Sequence, residues 1–282
     1  MTRSHTIIIV VVAAIVLAIT GTLVYQIYLV PAMALRNEQG RIEREAVAQA
    51  AIPDPKEAAF QATLSQAADL PDSQRRKIWD QYLKNHSKDP RAADARALLG
   101  PLNRAALLSK EPSLKDKVVY TVVSGDSLYR IAQQHDTTID LIARANRIKG
   151  TMLQIGQELV LPIVKISASA DLGSKTLRLD NHGEFFCEYP LLSARIGSIP
   201  AGGASCRVLD NIATFQGKRV TFAEEGYPEA SRRIILSPPA LSISGISPET
   251  KEDKMPPGLV LKKEAINDVF VLLRRGDPVT IR

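Results

Sequence analysis

The stretch from Val118 to Pro162 constrains the fold more than any other part of this 282-residue chain. Residues 119–122, Val-Tyr-Thr-Val, are β-branched or aromatic throughout and predict a short strand. Gly125 and Asp126 interrupt it. Asp126 has the side chain to cap a helix, and Leu128, Ile131 and Ala132 follow at helical spacing. Thr137 and Asp140 stand at capping-box spacing and predict a second helix carrying Ile139, Ile142 and Ala143. Gly156-Gln157 predicts a turn, residues 158–161 a second strand, and Pro162 its end. The order is strand, helix, helix, strand.

This stretch closely resembles the LysM domain. The likeness lies in Tyr120-Thr121-Val122 before Ser124-Gly125-Asp126-Ser127-Leu128, in Ile131-Ala132, in Asn146, and in Gly156-Gln157-Glu158-Leu159-Val160-Leu161-Pro162. The resemblance implies a βααβ fold that binds N-acetylglucosamine-containing polymers, chiefly bacterial peptidoglycan. It places the glycan groove between Gly125, Asp126, Ser127 and Leu128 on one side and Ile148, Lys149, Gly150, Thr151 and Met152 on the other. A neutral acetamido sugar needs exposed backbone donors and acceptors beside a small apolar shelf. The charges agree: Arg130, Arg144, Arg147 and Lys149 balance Asp126, Asp136, Asp140 and Glu158, whereas a polyanion binder is not normally neutral. The alternative is a structural βααβ spacer without a ligand.

At the N-terminus, residues 7–30 are almost uninterruptedly apolar, which meets the roughly 20 residues a helix needs to span a bilayer. Tyr25 and Tyr28 sit near its outer end, as interfacial aromatics do. The run is too long for a typical signal-peptide core, so an uncleaved anchor over 1–36 is expected, with cleavage near Ala32-Met33-Ala34 as the alternative. Arg36, Arg41 and Arg44 follow the span and only Arg3 precedes it, which by count puts the C-terminus inside. Glycan binding requires the opposite orientation, and that reading is preferred: a single-pass protein of the bacterial inner membrane with its C-terminal domains in the periplasm.

Residues 37–109 are rich in Ala, Gln, Glu, Arg and Leu, punctuated by Pro53, Pro55, Pro71, Pro90 and Pro101. Helices are predicted over 56–70, 73–85 and 91–99. Ile78, Trp79, Tyr82 and Leu83 share one face of the middle helix. The pattern weakly resembles one tetratricopeptide-like hairpin, too little for a repeat groove. A spacer holding the next domain off the membrane is expected, with an envelope-protein partner through 56–99 as the alternative. Residues 110–117 read as a polar linker.

After Pro162 the chain turns to strands. Residues 165–170 alternate loosely. Residues 176–180, a turn at Asn181-His182-Gly183 and residues 184–189 predict a hairpin. Further strands are expected at 218–222, 233–236, 241–243 and 279–281, and a helix over 264–273 with Ile266, Val269, Phe270 and Leu273 at helical spacing. Residues 163–282 resemble the L,D-transpeptidase catalytic domain, through Ala170-Asp171-Leu172, Lys175-Thr176-Leu177-Arg178-Leu179, Asn181-His182-Gly183-Glu184-Phe185, Ala265-Ile266-Asn267-Asp268-Val269-Phe270 and Arg275-Gly276-Asp277-Pro278-Val279-Thr280-Ile281. That family works through a cysteine made nucleophilic by a histidine. Its His-Gly falls here at Ser244-Gly245, and its Ser-His-Gly-Cys-x-Arg at Pro256-Pro257-Gly258-Leu259-Val260-Leu261. The glycines remain, at what reads as turns of the backbone. The histidines, cysteine and arginine do not, and no histidine follows His182. The expectation is a pseudoenzyme, kept for structure or for holding a peptide stem. An active enzyme with another nucleophile, Cys187 or Cys206, is the alternative.

The fold class is therefore multidomain α+β: an N-terminal transmembrane helix, a helical segment, a βααβ LysM domain over 118–162 and a mostly-β domain over 163–282. Two cysteines make no metal site and no disulfide framework. The net charge of +6 is spread along the chain without a basic, aromatic-interleaved patch, which argues against nucleic acid. Neither a phosphate-cradling glycine loop nor zinc spacing is present, and no cofactor is implied. Arg275-Gly276-Asp277 spells an adhesion tripeptide but falls in a predicted turn.

Overall fold

The computed structural model describes residues 15–50, 54–111, 116–197, 203–237, 241–246 and 255–282. Residues 7–14 of the apolar run, Pro53 and Pro112 lie outside them. The chain divides into two compact units, Met1–Ala59 and Phe60–Arg282.

In the first unit, helical residues 15–24 (α1) continue through a π-helical turn, Tyr25–Leu29, into α2 (Val30–Ala50). The π turn has a local cause. Pro31 has no N–H to give the carbonyl four residues back, and its ring crowds that carbonyl. The helix widens just ahead of it, and the Val30 N–H bonds to the carbonyl of Tyr25 instead. Thr20 and Thr22 turn their hydroxyls onto the carbonyls of Val16 and Ala18, at 2.8 and 2.7 Å, so neither needs water. Among the described residues one helix, Ile15–Arg44, is long and apolar enough to cross a membrane.

The second unit holds three helices of the Ala-rich segment: α3 (Pro55–Ala67, which begins in the first unit), α4 (Asp72–His86) and α5 (Ala92–Leu107). Trp79, Tyr82 and Phe60 form their aromatic centre. The third helix runs well past the expected end at 99, straight through Pro101. An interior proline costs about 3 kcal/mol. Burying Leu99, Leu102 and Leu107, at about 1.5–3 kcal/mol each, more than offsets it. Gly100 lets the helix lie against the strand Glu184–Pro190, where a Cβ would stand 3.3 Å from Cys187 Cβ. Asn103 Nδ2 donates to the Phe186 carbonyl (3.0 Å), and Arg96 pairs with Glu188 (2.9 Å). The segment is thus built onto the C-terminal domain and is no free-standing spacer. The linker reading of 110–117 also changes at its end. Lys117 is buried, and its ammonium donates to the carbonyls of Ala106 (2.6 Å), Ser109 (2.5 Å) and Glu111 (3.1 Å).

The LysM-like stretch folds as β1 (Lys117–Thr121), α6 (Leu128–Gln134), α7 (Ile139–Asn146) and β2 (Glu158–Pro162), with β1 antiparallel to β2. Its core is Val122, Leu128, Ile131, Ala132, Ile142, Leu159 and Leu161. Both caps sit one residue later than expected. Ser127 and Thr138 accept from the amides of Arg130 and Leu141. Asp126 is occupied in the preceding turn, and Thr137 points inward to the Pro162 carbonyl at 2.6 Å.

The C-terminal sheet has the strand order β5-β4-β3-β12-β7-β9-β10-β11-β6, with β8 paired to β7. These are β3 (Ile166–Asp171), β4 (Thr176–Asn181), β5 (Glu184–Pro190), β6 (Ser193–Arg195), β7 (Ala204–Phe215), β8 (Lys218–Arg219), β9 (Ser231–Leu236), β10 (Leu241–Ile246), β11 (Gly258–Lys262) and β12 (Pro278–Ile281); α8 (Lys263–Leu272) packs on the sheet. The expected strand at 218–222 shrinks to the two residues of β8. The β4–β5 hairpin closes through His182 (φ 52°) and Gly183 (φ 81°), the paired left-handed residues that a two-residue hairpin turn favours. Leu107 of α5 and Leu141 of α7 belong to the core of this domain, so three sequence segments share one interior.

Candidate functional site

The first candidate loop leaves β1 at Val122 and enters α6 at Ser127. Asp126 builds it: its carboxylate accepts from the Val123 amide (2.9 Å) and the Tyr120 hydroxyl (2.7 Å). These bonds, the backbone one first, hold the Asp126 carboxyl below the usual carboxylate range. Gly125 takes φ +86°, a left-handed turn position that suits glycine, and its carbonyl accepts from Arg130 Nη1 at 3.0 Å. Gly125 and Ser127 are exposed and Asp126 is half-buried. Leu128 is not a lining residue: at 2% exposure its side chain belongs to the core, so only its backbone borders the loop.

The second loop follows α7. Arg147 closes that helix in a left-handed conformation (φ 58°), and the Ile148 amide returns to the Ala143 carbonyl at 2.8 Å. Lys149, Gly150, Thr151 and Met152 are exposed, Met152 at 90%, while Ile148 is half-buried against the core. The two loops meet at Val122, whose carbonyl accepts from the Gly156 amide (2.8 Å) and whose amide donates to the Gln157 carbonyl (2.9 Å). Their rim gains apolar surface that the sequence reading left out: Val123, Tyr129 and Ile155 are 54%, 66% and 74% exposed. Isolated apolar residues next to turn glycines are the signal that was there to be used.

Asn146 ties the second loop's root to the sheet. It is buried, its Nδ2 donates to the carbonyls of Ile142 (2.8 Å) and Val160 (2.7 Å), and its Oδ1 accepts from the Val160 amide (2.8 Å). Asn146→Ala strands both polar groups of Val160, and we expect a loss of about 2 kcal/mol in urea unfolding.

The positions where a catalytic motif is expected lie on β10 and β11, which run parallel. Ser244 pairs with Val260, and Leu259 with Ile243, so Ser244 and Leu259 point to opposite faces of the sheet. Leu259 is fully buried, and Ser244 Oγ is buried without a partner. The two do not converge on a pocket. The glycines have packing reasons. Gly245 lies inside β10, not at a turn, and a Cβ there would stand 2.0 Å from Ile266 Cγ2 on α8. Gly258 takes φ +101°, and its Cβ would stand 2.3 Å from the Ser242 carbonyl oxygen. Cys187 and Cys206 are both buried free thiols, on β5 and β7. Burial pushes the Cys187 thiol up to about 12. His182, in the hairpin turn, is exposed.

Residues 120–162 match the family model of the LysM domain. Among solved structures, the chain is similar to L,D-transpeptidase 1 of Mycobacterium tuberculosis at 11% identity and TM-score 0.29, over 44% of this chain and 66% of that one. It is similar to a Bdellovibrio bacteriovorus protein at 13% identity and TM-score 0.32, over 42% and 48% of the two chains. It is also similar to L,D-transpeptidase 3 of M. tuberculosis at 12% identity and TM-score 0.31, over 59% and 91%. This chain spans less than two thirds of the length of each of the first two.

Proposed function

We propose that this chain holds peptidoglycan from the bacterial inner membrane, gripping N-acetylglucosamine-containing strands between residues 123–128 and 148–156 of its LysM domain. The observation that carries the reading is exposure. Gly125, Ser127 and residues 149–152 stand open to solvent, whereas the domain's α7 face is docked against α8. The open loops offer backbone amides and carbonyls beside the apolar Val123, Tyr129, Met152 and Ile155, the combination an acetamido sugar needs. The N-terminal helix serves as the anchor. On this reading the domain over 163–282 is non-catalytic: its motif positions offer Ser244 and Leu259 on opposite faces, and the thiols are buried and protonated.

The test uses the detergent-solubilised full chain and purified sacculi, which sediment while free protein does not. The wild type is expected in the pellet. Gly150→Trp fills the groove from a position where an added Cβ meets nothing within 4 Å, so the fold is kept. We expect its bound fraction to fall about tenfold, the loss of roughly 1.4 kcal/mol. A wild-type chain that stays in the supernatant, or a tryptophan variant that pellets equally, overturns the reading.

A further inference from the structure

Arg76, on α4, carries a guanidinium N–H that the fold leaves without a partner. It is half-buried, and its Nε is shut away from water with no hydrogen-bond partner. Lys117, another cation, is close enough to feel it, and the carboxylate of Asp80 shares its cleft. Burial depresses the Lys117 ammonium first, Glu111 opposes this, and repulsion from Arg76 depresses it further. Lys117 itself is satisfied by the carbonyls at the end of α5, whereas Arg76 is not. A buried N–H without an acceptor costs free energy, which an acceptor on a bound ligand can recover.

The guanidinium borders a cleft of about 280 Å³ between α4, α5 and the β4–β5 hairpin. Lys77, Asp80, Asp116 and Glu184 are on the lining as well, Asp80 paired with Lys84 at 2.8 Å. Asp116 Oδ2 accepts from Asn181 Nδ2 (3.1 Å), while its Oδ1 lies 3.9 Å from His182 Nε2 and keeps acceptor capacity. Glu184 lies 3.8 Å from Lys84. Leu107 and Phe186 add apolar surface. The cleft thus combines a guanidinium with an unpartnered N–H, a carboxylate with room for a donor, and an apolar wall. Its volume falls just under the roughly 300–1,000 Å³ of sites for drug-sized molecules, so the ligand is small.

We propose that this cleft binds a small amphiphilic zwitterion, a free amino acid or a short peptide, with its carboxylate on Arg76, its ammonium on Asp116 and an apolar side chain toward Leu107 and Phe186. The site is separate from the glycan loops, and its occupancy does not depend on them.

Calorimetry on the detergent-solubilised full chain tests this with leucine, alanyl-leucine, N-acetyl-alanyl-leucine, alanyl-leucinamide and sodium acetate. Saturable binding of leucine or of alanyl-leucine is expected, and which of the two binds tells a free amino acid from a peptide. Blocking either end of the dipeptide is expected to weaken binding at least about tenfold, as loss of a charge-assisted hydrogen bond does. Arg76→Gln is expected to lose affinity by a similar factor and to unfold at an unchanged or higher urea concentration, because it removes a buried N–H with no internal acceptor. The proposal is overturned if neither zwitterion binds, if the amide or acetate binds as well as the dipeptide, or if Arg76→Gln keeps its affinity or unfolds earlier.

Discussion

Exchanging Leu141 for aspartate will detach the LysM domain from the C-terminal sheet domain and cost about 4 kcal/mol or more, the range of an unpaired charge forced into a core. Leu141 is on α7 and fully buried, yet it belongs to the hydrophobic core of the sheet domain and not to that of its own domain. Polar contacts surround it. Arg144 donates to Asp268 (3.1 Å) and to the Asn267 carbonyl (3.0 Å). The Tyr227 hydroxyl donates to Asp140 (2.7 Å), and Arg274 pairs with Asp136 (2.8 Å). Arg104 of α5 reaches the same Asp268 at 3.6 Å, so one carboxylate joins all three segments. Each exposed pair is worth little, about 0–1 kcal/mol, and the apolar contact decides the docking. Hydrogen exchange is the measurement. Amides of α7 facing α8 are expected to lose protection while those of β1, α6 and β2 keep it, and sacculus binding is expected to survive. Loss of protection throughout the LysM domain would show that Leu141 serves its own fold instead.

Gly245→Ala is expected to cost about 3 kcal/mol, the upper end for overpacking. The new methyl has nowhere to go. Ile266 Cγ2 and Cβ would be 2.0 and 2.8 Å away, and Ile266 is buried on a helix that cannot retreat without opening the core. Urea unfolding of Gly245→Ala, Ile266→Ala and the double variant checks the cause. The double variant should be more stable than the sum of the single losses predicts, by about 1 kcal/mol or more. Strict additivity would remove Ile266 as the reason for the glycine. The same geometry separates two explanations of a glycine at an expected motif position. At this position the close approach of α8 suffices, with no catalytic backbone turn required.

Much of the LysM domain was readable because its signals are local. Turn glycines, cap residues and apolar periodicity lie within a few residues of the elements they define, and the shifts in element bounds there are of one or two residues. At Ser127 and Thr138 the neighbouring residue, Asp126 or Thr137, was an equally good cap by type. Only its contact with Val123 or Pro162 told the two apart. The sheet domain was less readable. β7 is central, yet Asp210 and Asn211 interrupt its alternation at a bulge, and Asn211 Nδ2 is spent on the carbonyls of Phe270 and Leu273 at the end of α8. β11 was read as a lost motif, and β6 has only three residues.

Of the candidate loops, the backbone positions Gly125 and Gly150 were legible from residue type. The inward turn of Leu128 was not, because burial depends on what the helix meets. What the sequence determined alone is the set of short-range choices: where the chain turns, which segments coil or extend, and the apolar length of the N-terminal helix. The tertiary structure decided that α5 and α7 each lend a leucine to the core of the sheet domain, that α5 continues through Pro101, and that Ser244 and Leu259 face apart. Those outcomes rest on contacts between residues tens of positions distant. Their energies, a few buried leucines against one proline or one charge, outweigh the local preferences from which a sequence is read.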